Sequence, residues 1–376
     1  MLVEQITIKE GQNLQEFDIS LQPDLILYFG QREMLDGLDI ARIQSKFTNM
    51  PIVGCSAAGV ITDCDISDHC IVFNFIKLDK SEVRCHVVNI LDYHDSQNAG
   101  EDLINKFDPV GLKYLLVLSD GQLVNGSDLL KGINKYKPKK VPVSGGLAGD
   151  GERFEKTLVG LNDDLRYGNI LAIGFYGDNI RMGFGSNGGW EEFGLTREVT
   201  KSEKNILFEI DNENALDLYK KYLGTYAEEL PGAALLFPLA IQASDQSSEV
   251  VRTILSIDEN NKSMTFAGNI PIGSKVRLMK ANLDNLIDAA ASAMKSSTEF
   301  DSIPENQKLS ILISCVGRKL IFKERIDEEH EVAKDVLGNH ALITGFYSYG
   351  EISPFDNFTT CELHNQTMTV TTIAEL

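Results

Sequence analysis

Residues 51–60 read PIVGCSAAGV, which sets a thiol and a hydroxyl, Cys55 and Ser56, between two glycines, Gly54 and Gly59. Three roles fit the thiol. As a nucleophile it needs a depressed pKa and a base within reach. As a ligand contact it needs only its small size. As a core thiol it needs nothing more, and buried free cysteine is common. The string GCSAAG is not the G-x-S-x-G of a nucleophile elbow, so Ser56 gains nothing from that comparison. A nucleophilic Cys55 would make the protein a cysteine-dependent hydrolase or transferase. The contact role makes it a binding or sensing protein.

Other polar residues gather near glycine turns. Asp120 closes the apolar run YLLVLSDG (114–121), and loops at the carboxyl ends of strands host binding residues. Nearby Asn125 reads at least as well as a helix cap. Gly146, Asp150 and Arg153 lie in GGLAGDGERF (145–154). A carboxylate and a guanidinium beside a glycine loop can clamp the two ends of an amino acid, or simply pair with each other. In GFYSYGEISPF (345–355), Tyr347, Tyr349 and Glu351 alternate, so on an extended segment they share one face. That face would be an aromatic wall with a carboxylate. His364 and Asn365, in LHNQT, precede the last predicted strand and are expected to face the same turn. A lone histidine is more often structural or solvated than a ligand, though histidine is also a usual axial ligand of haem. No turn is a P-loop. GFGSNG (183–188) matches G-x-G-x-x-G but leads into GWEEFG rather than an apolar helix. The single tryptophan, Trp190, is expected to pack at a core edge.

Short apolar runs must carry these turns. LILYFG (25–30), YLLVLSDG (114–121), ALLFPLAI (234–241) and LSILISCVG (309–317) read as buried strands. Helical patterns follow at 32–47, 126–136, 211–224, 283–297 and 328–337. The order then recurs: strand, helix, apolar segment with a glycine turn, strand. The turns pair Gly54 with Gly59, Ser144 with Gly149, and Gly345 with Gly350; a weaker fourth copy runs from 234–241 to GNIPIG (268–273). The fold class expected is α/β: mixed sheets covered by helices, built from pseudo-repeated units in two halves.

Composition narrows the partners. The 376 residues suggest two domains or one large one, and carry a net charge of -20. That balance argues against nucleic acid and against an anionic membrane surface. Six cysteines show no C-x-x-C spacing, no apolar run reaches membrane length, and no secretory leader is visible. A cytoplasmic protein with reduced thiols is expected.

PIVGCSAAGVI, VPVSGGLAGDG and GFYGDNIRMGFGSNGGW resemble the amino-terminal half of the FIST family. ALDLYKKYLG, LPGAALLFPLAI, TFAGNIPIGSKVRLMKA and GFYSYGEISP with LHNQTMTV resemble its carboxy-terminal half. The resemblance runs over roughly residues 20 to 373, in the family's order. It implies a FIST N-like domain over 20–205 and a FIST C-like domain over 206–376. It also implies a sensory module of signal transduction for small ligands such as amino acids. In some stand-alone bacterial members it implies haem, for nitric-oxide sensing; if haem is bound, His364 is the first candidate metal ligand and His340 the second. The partner implied is a separate signalling protein such as a histidine kinase. No catalytic residue carries over from the family.

Overall fold

The computed structural model describes residues 1–12, 19–48, 50–243, 249–299, 308–339, 341–355 and 358–376. It is a mixed α/β fold. Three six-stranded sheets share one strand order. The first runs Leu2–Lys9, Cys70–Lys77, Leu25–Gly30, Ile52–Ser56, Val159–Leu161, Asp164–Arg166. The second runs Glu82–Asn89, Asn169–Tyr176, Leu112–Ser119, Val143–Leu147, Gly350–Phe355, Thr360–His364. The third runs Ile180–Asn187, Met368–Glu375, Lys308–Cys315, Ala341–Ser348, Val60–Ile61, Ile66–Ser67. In each, the third and fourth strands are parallel and all other pairings are antiparallel.

The central strands are buried on both faces, which is why they read as unbroken apolar runs rather than alternating ones. Their inner faces meet in one core to which all three sheets contribute, through Phe29, Leu116, Leu118, Ile311 and Phe346 among others. Phe29 of the first sheet stacks on Phe346 of the third, with ring centroids 4.8 Å apart. Helices cover the outer faces. Ile40 and Ile43 pack on the first sheet, Leu103, Leu129 and Ile133 on the second, Ala290 and Met294 on the third.

The hairpin that follows each glycine turn leaves its own sheet and completes another. Val60–Ile61 pairs with Ala341–Ser348, Val159–Leu161 with Ile52–Ser56, and Gly350–Phe355 with Val143–Leu147. The three exchanges close a cycle. Three backbone hydrogen bonds run around it: the Ala58 N–H to the Tyr347 carbonyl (2.9 Å), the Gly149 N–H to the Ser56 carbonyl (3.1 Å), and the Tyr349 N–H to the Leu147 carbonyl (3.0 Å). This ring aligns Gly54 with Gly145 and Gly345. At all three a Cβ would lie 1.8–2.0 Å from a carbonyl oxygen of the parallel neighbour, so only glycine fits. In the second turn the aligned positions are therefore Gly145 and Asp150, one residue beyond Ser144 and Gly149.

A fourth sheet is antiparallel throughout its pairings and has its own core around Leu207, Tyr219, Met264 and Phe266. The expected fourth copy falls here, but it lacks a parallel pair: Gly232–Leu236 is a 3-10 turn, and the strand is Leu239–Gln242. Arg252 ties this sheet to the second one. Its guanidinium donates to the Leu363 carbonyl at 2.6 Å and to the Glu362 carboxylate at 3.2 Å.

Candidate functional site

The parallel strands Leu112–Ser119 and Lys308–Cys315 end beside the turn that carries Tyr349. The loops beyond them face the fourth sheet and leave a cleft, as the carboxyl ends of strands commonly do. Two cavities occupy it. The larger, about 450 Å³, lies between Gln122 and Asn125 on one side and Asn205 and Phe266 on the other. The smaller, about 200 Å³, lies between Cys315 and Leu320 on one side and Thr253 and Leu235 on the other. Phe154, Leu255, Ala267 and Tyr349 line both. No charged side chain is among the described residues lining either.

Tyr349 is held from several directions. Its ring stacks on Phe154, centroids 4.4 Å apart and 19° from parallel. Its hydroxyl donates to the Asp150 carboxylate and accepts from the Asp150 N–H (3.1 Å) and the Phe154 N–H (3.2 Å). Burial, and then the Asp150 carboxylate, push the phenol well above its ordinary pKa, so it stays a donor. Phe154 sits at φ +55°, a backbone region that non-glycine residues seldom adopt, and its bond to Tyr349 helps to hold it there.

Asp120 and Asp150 shape the cleft without lining it. Asp120 accepts from the N–H groups of Gln122 (2.8 Å) and Leu123 (2.7 Å), from the Thr157 hydroxyl (2.8 Å) and from the Gly168 N–H (3.0 Å). That fixes the loop that presents Gln122. Asp150 also accepts from the N–H groups of Glu155 (3.1 Å) and Lys156 (2.8 Å). Arg153 does not reach the cavities; it pairs with Glu33 at 2.8 Å and approaches Asp150 at 3.9 Å. Asn125 caps the helix Gly126–Tyr136 and donates to Asn269 at 3.1 Å.

The remaining sequence candidates lie elsewhere. Cys55 is fully buried in the inner core, where burial pushes its thiol well above the ordinary range. A neutral thiol sealed among apolar side chains is not an activated nucleophile, which sets that role aside. The Ser56 hydroxyl accepts from the Leu158 N–H at 2.9 Å, and its carbonyl belongs to the backbone ring. Gly54 is pressed against Tyr28, Gly59 against Lys319 and Tyr347, and Gly146 against Ile313 and Phe346. None of these lines the cleft.

The aromatic wall expected from Tyr347, Tyr349 and Glu351 does not form. The chain crosses from the third sheet to the second between Ser348 and Gly350, so the three side chains part. Tyr347 is buried and donates to Glu329 at 2.8 Å. Glu329 in turn pairs with the fully buried Arg318 at 2.7 Å. Glu351 accepts from Ser348 (2.7 Å) and from the Thr367 N–H (3.2 Å) and hydroxyl (2.9 Å). Burial raises its pKa to about 8, despite these bonds.

His364 lines a third cavity of about 390 Å³, with Phe184, Phe355 and Phe358. Its Nε2 has no partner among the described residues. Burial, and then Arg252, lower its pKa to about 3, so the imidazole is neutral. The nitrogen is chemically suited to haem iron, but it exposes almost no surface to the cavity, so the ring must turn before it can bind one. His340 lies outside the described residues. Asn365 is buried beside Gly350, and its amide also lacks a partner among the described residues. Trp190 is half-buried and donates to the Gln366 carbonyl at 2.8 Å. Sequence reasoning missed Phe154, Thr253, Leu255, Ala267 and Cys315 as cleft residues. Only Cys315, at the end of an apolar run, carried a signal that could have found it.

Comparison with known proteins places these elements in context. Over 328 residues the chain is 21% identical to the uncharacterized protein MJ1623 of Methanocaldococcus jannaschii. The match covers 80% of this chain and 60% of that protein, so the chain spans well under the full length of its relative. A crystal structure of cyanuric acid hydrolase from A. caulinodans aligns with 78% of this chain and 99% of its own. Its identity is 9% and its TM-score 0.19, a level that carries no inference. Residues 24–213 match the FIST N domain and residues 215–354 the FIST C domain, so the chain belongs to the FIST family.

Proposed function

We propose that this protein is a small-ligand sensor of signal transduction that takes its ligand in the cleft around Tyr349. One observation carries the reading: Tyr349 lines both cavities and closes the backbone ring of the three sheets with its N–H. A ligand that moves the ring therefore acts on the junction of the sheets. Binding would favour one arrangement of that junction, and a separate signalling protein such as a histidine kinase would read the shift. Amino-acid-sized ligands fit the larger cavity. Its uncharged lining suits those whose ends are neutral, because an unpaired buried charge is costly.

The test is a thermal-shift screen of the whole chain with free amino acids, their N-acetyl amides and haem. A ligand at about 100 times its Kd adds about 2.7 kcal/mol of stability. The amides are expected to raise Tm more than the free amino acids, and Asn205→Leu is expected to reduce the rise. A rise that Asn205→Leu and Phe154→Ala both leave intact places the ligand outside the cleft and sinks the reading.

A second reading rests on His364. Its neutral imidazole would hold the iron of a haem, and Phe184 and Phe355 would supply apolar wall to the same cavity. The iron, when bound, supplies a site for nitric oxide. A Soret band on reconstitution that His364→Ala removes would support it. A band unchanged in that variant would end it.

A further inference from the structure

We infer that the smaller cavity is a separate subsite for an uncharged, mainly apolar group bearing one hydrogen-bonding atom, and that Thr253 receives that atom. The inference deepens the cleft reading above and rests on it. Thr253 is 6% exposed, lines the cavity, and its hydroxyl has no partner among the described residues. A buried hydroxyl is normally paired, and this one, which exposes almost no surface at rest, reaches a partner in the cavity by rotation about χ1. The hydroxyl both donates and accepts, so it suits an alcohol, a phenol or an amide.

The rest of the wall excludes charge. Ile254, Val316, Leu320 and Phe154 are apolar. Cys315 adds a thiol to the wall. Burial raises its pKa above the ordinary value, so it presents a neutral thiol. An ionised ligand group would find no counter-charge here. Size points the same way. An apolar cavity of about 150 Å³ is enough for benzene, so about 200 Å³ takes one ring with a short polar substituent. That ring would lie against Tyr349 and Phe154, the aromatic pair shared with the larger cavity.

The test uses the whole chain with two probes of nearly equal shape, benzyl alcohol and toluene, read by calorimetry or saturation-transfer NMR. Thr253→Val keeps the side-chain volume and removes the hydroxyl. Benzyl alcohol is expected to bind the wild type and to weaken by about fivefold or more in Thr253→Val, the loss of one hydrogen bond. Toluene is expected to hold or tighten. Asn205→Leu, in the other cavity, is expected to change neither. If benzyl alcohol binds equally to wild type and Thr253→Val, the subsite falls. If Asn205→Leu rather than Thr253→Val weakens it, the subsite falls while the cleft reading stands. If neither probe binds the wild type, the subsite also falls, and the amide screen alone then decides the cleft. Thr253→Val should melt at or above the wild-type temperature without probe, since it deletes an unpaired buried hydroxyl.

Discussion

The hydroxyl of Tyr349 and the carboxylate of Asp150 are joined by a direct hydrogen bond inside the protein, 199 residues apart in sequence. The same hydroxyl receives the N–H groups of Asp150 and Phe154, so one oxygen organises the whole turn over 150–154. The cleft thus owes its aromatic wall to a polar contact behind it.

Tyr349→Phe keeps the ring and deletes that contact. The N–H groups of Asp150 and Phe154 and one Asp150 carboxylate oxygen lose their partner, at a cost of about 1–3 kcal/mol. Urea unfolding should show this loss with an unchanged slope. Amide exchange should speed up most at residues 150–156. Wild-type protection there would remove the role given to Tyr349.

Glu351 makes stability depend on pH. Its pKa is about 8 in the fold against an ordinary value of 4.5, so the native state keeps a proton that the unfolded chain loses. Stability conferred by the raised pKa is therefore greatest below pH 4.5 and declines as pH rises toward 8. Glu351→Gln should melt close to wild type near pH 4.5 and be more stable at pH 8, by a few kcal/mol. A difference that does not grow with pH would contradict the buried acid.

Arg318 and Glu329 form a pair with almost no solvent exposure. The guanidinium also donates to the carbonyls of Gly188 (2.9 Å) and Leu286 (2.8 Å), and Tyr347 donates to the carboxylate. Removing one member leaves an uncompensated charge, so Arg318→Met or Glu329→Ala should each cost about 3–5 kcal/mol. Denaturant midpoints measure this. The double variant should cost less than the sum of the two singles.

The cysteines should label in order of exposure. Cys64 is exposed, whereas Cys55, Cys70, Cys315 and Cys361 are buried. Iodoacetamide at neutral pH, followed by mass spectrometry of peptides, should find Cys64 first and Cys55 only after unfolding. Fast native labelling of Cys55 would return it to consideration as a nucleophile.

Much of the local structure was legible. The strand at 25–30 and the helix at 126–136 coincide with observed elements, because an apolar run and a capped amphipathic stretch report directly on burial. Residues 32–47 proved to be two short helices, Arg32–Asp36 and Ile40–Lys46, divided at Gly37. Mixed sheets were legible, but not which strands each one contains. Which sheet the hairpin after Ser56 or Ser348 joins depends on contacts made hundreds of residues away. That same exchange separated Tyr347 from Tyr349, although their alternation suggested a shared face. Phe154 and Thr253 gave no signal, since what distinguishes them is a backbone angle and a missing partner.

The exchange of hairpins also bears on how the molecule can come apart. Each of the three sheets has one flank supplied by a hairpin from elsewhere in the cycle, so none can detach without exposing a strand edge on another. Gly350–Phe355 must find Val143–Leu147 across about 200 residues of chain, and such distant closures are slow to form. A fragment cut near residue 205 would present Val143–Leu147 as an open edge and would lack most of the third sheet. The two sequence-defined halves are therefore expected to melt together and to refold only as one, like a three-legged stand that has no two-legged form.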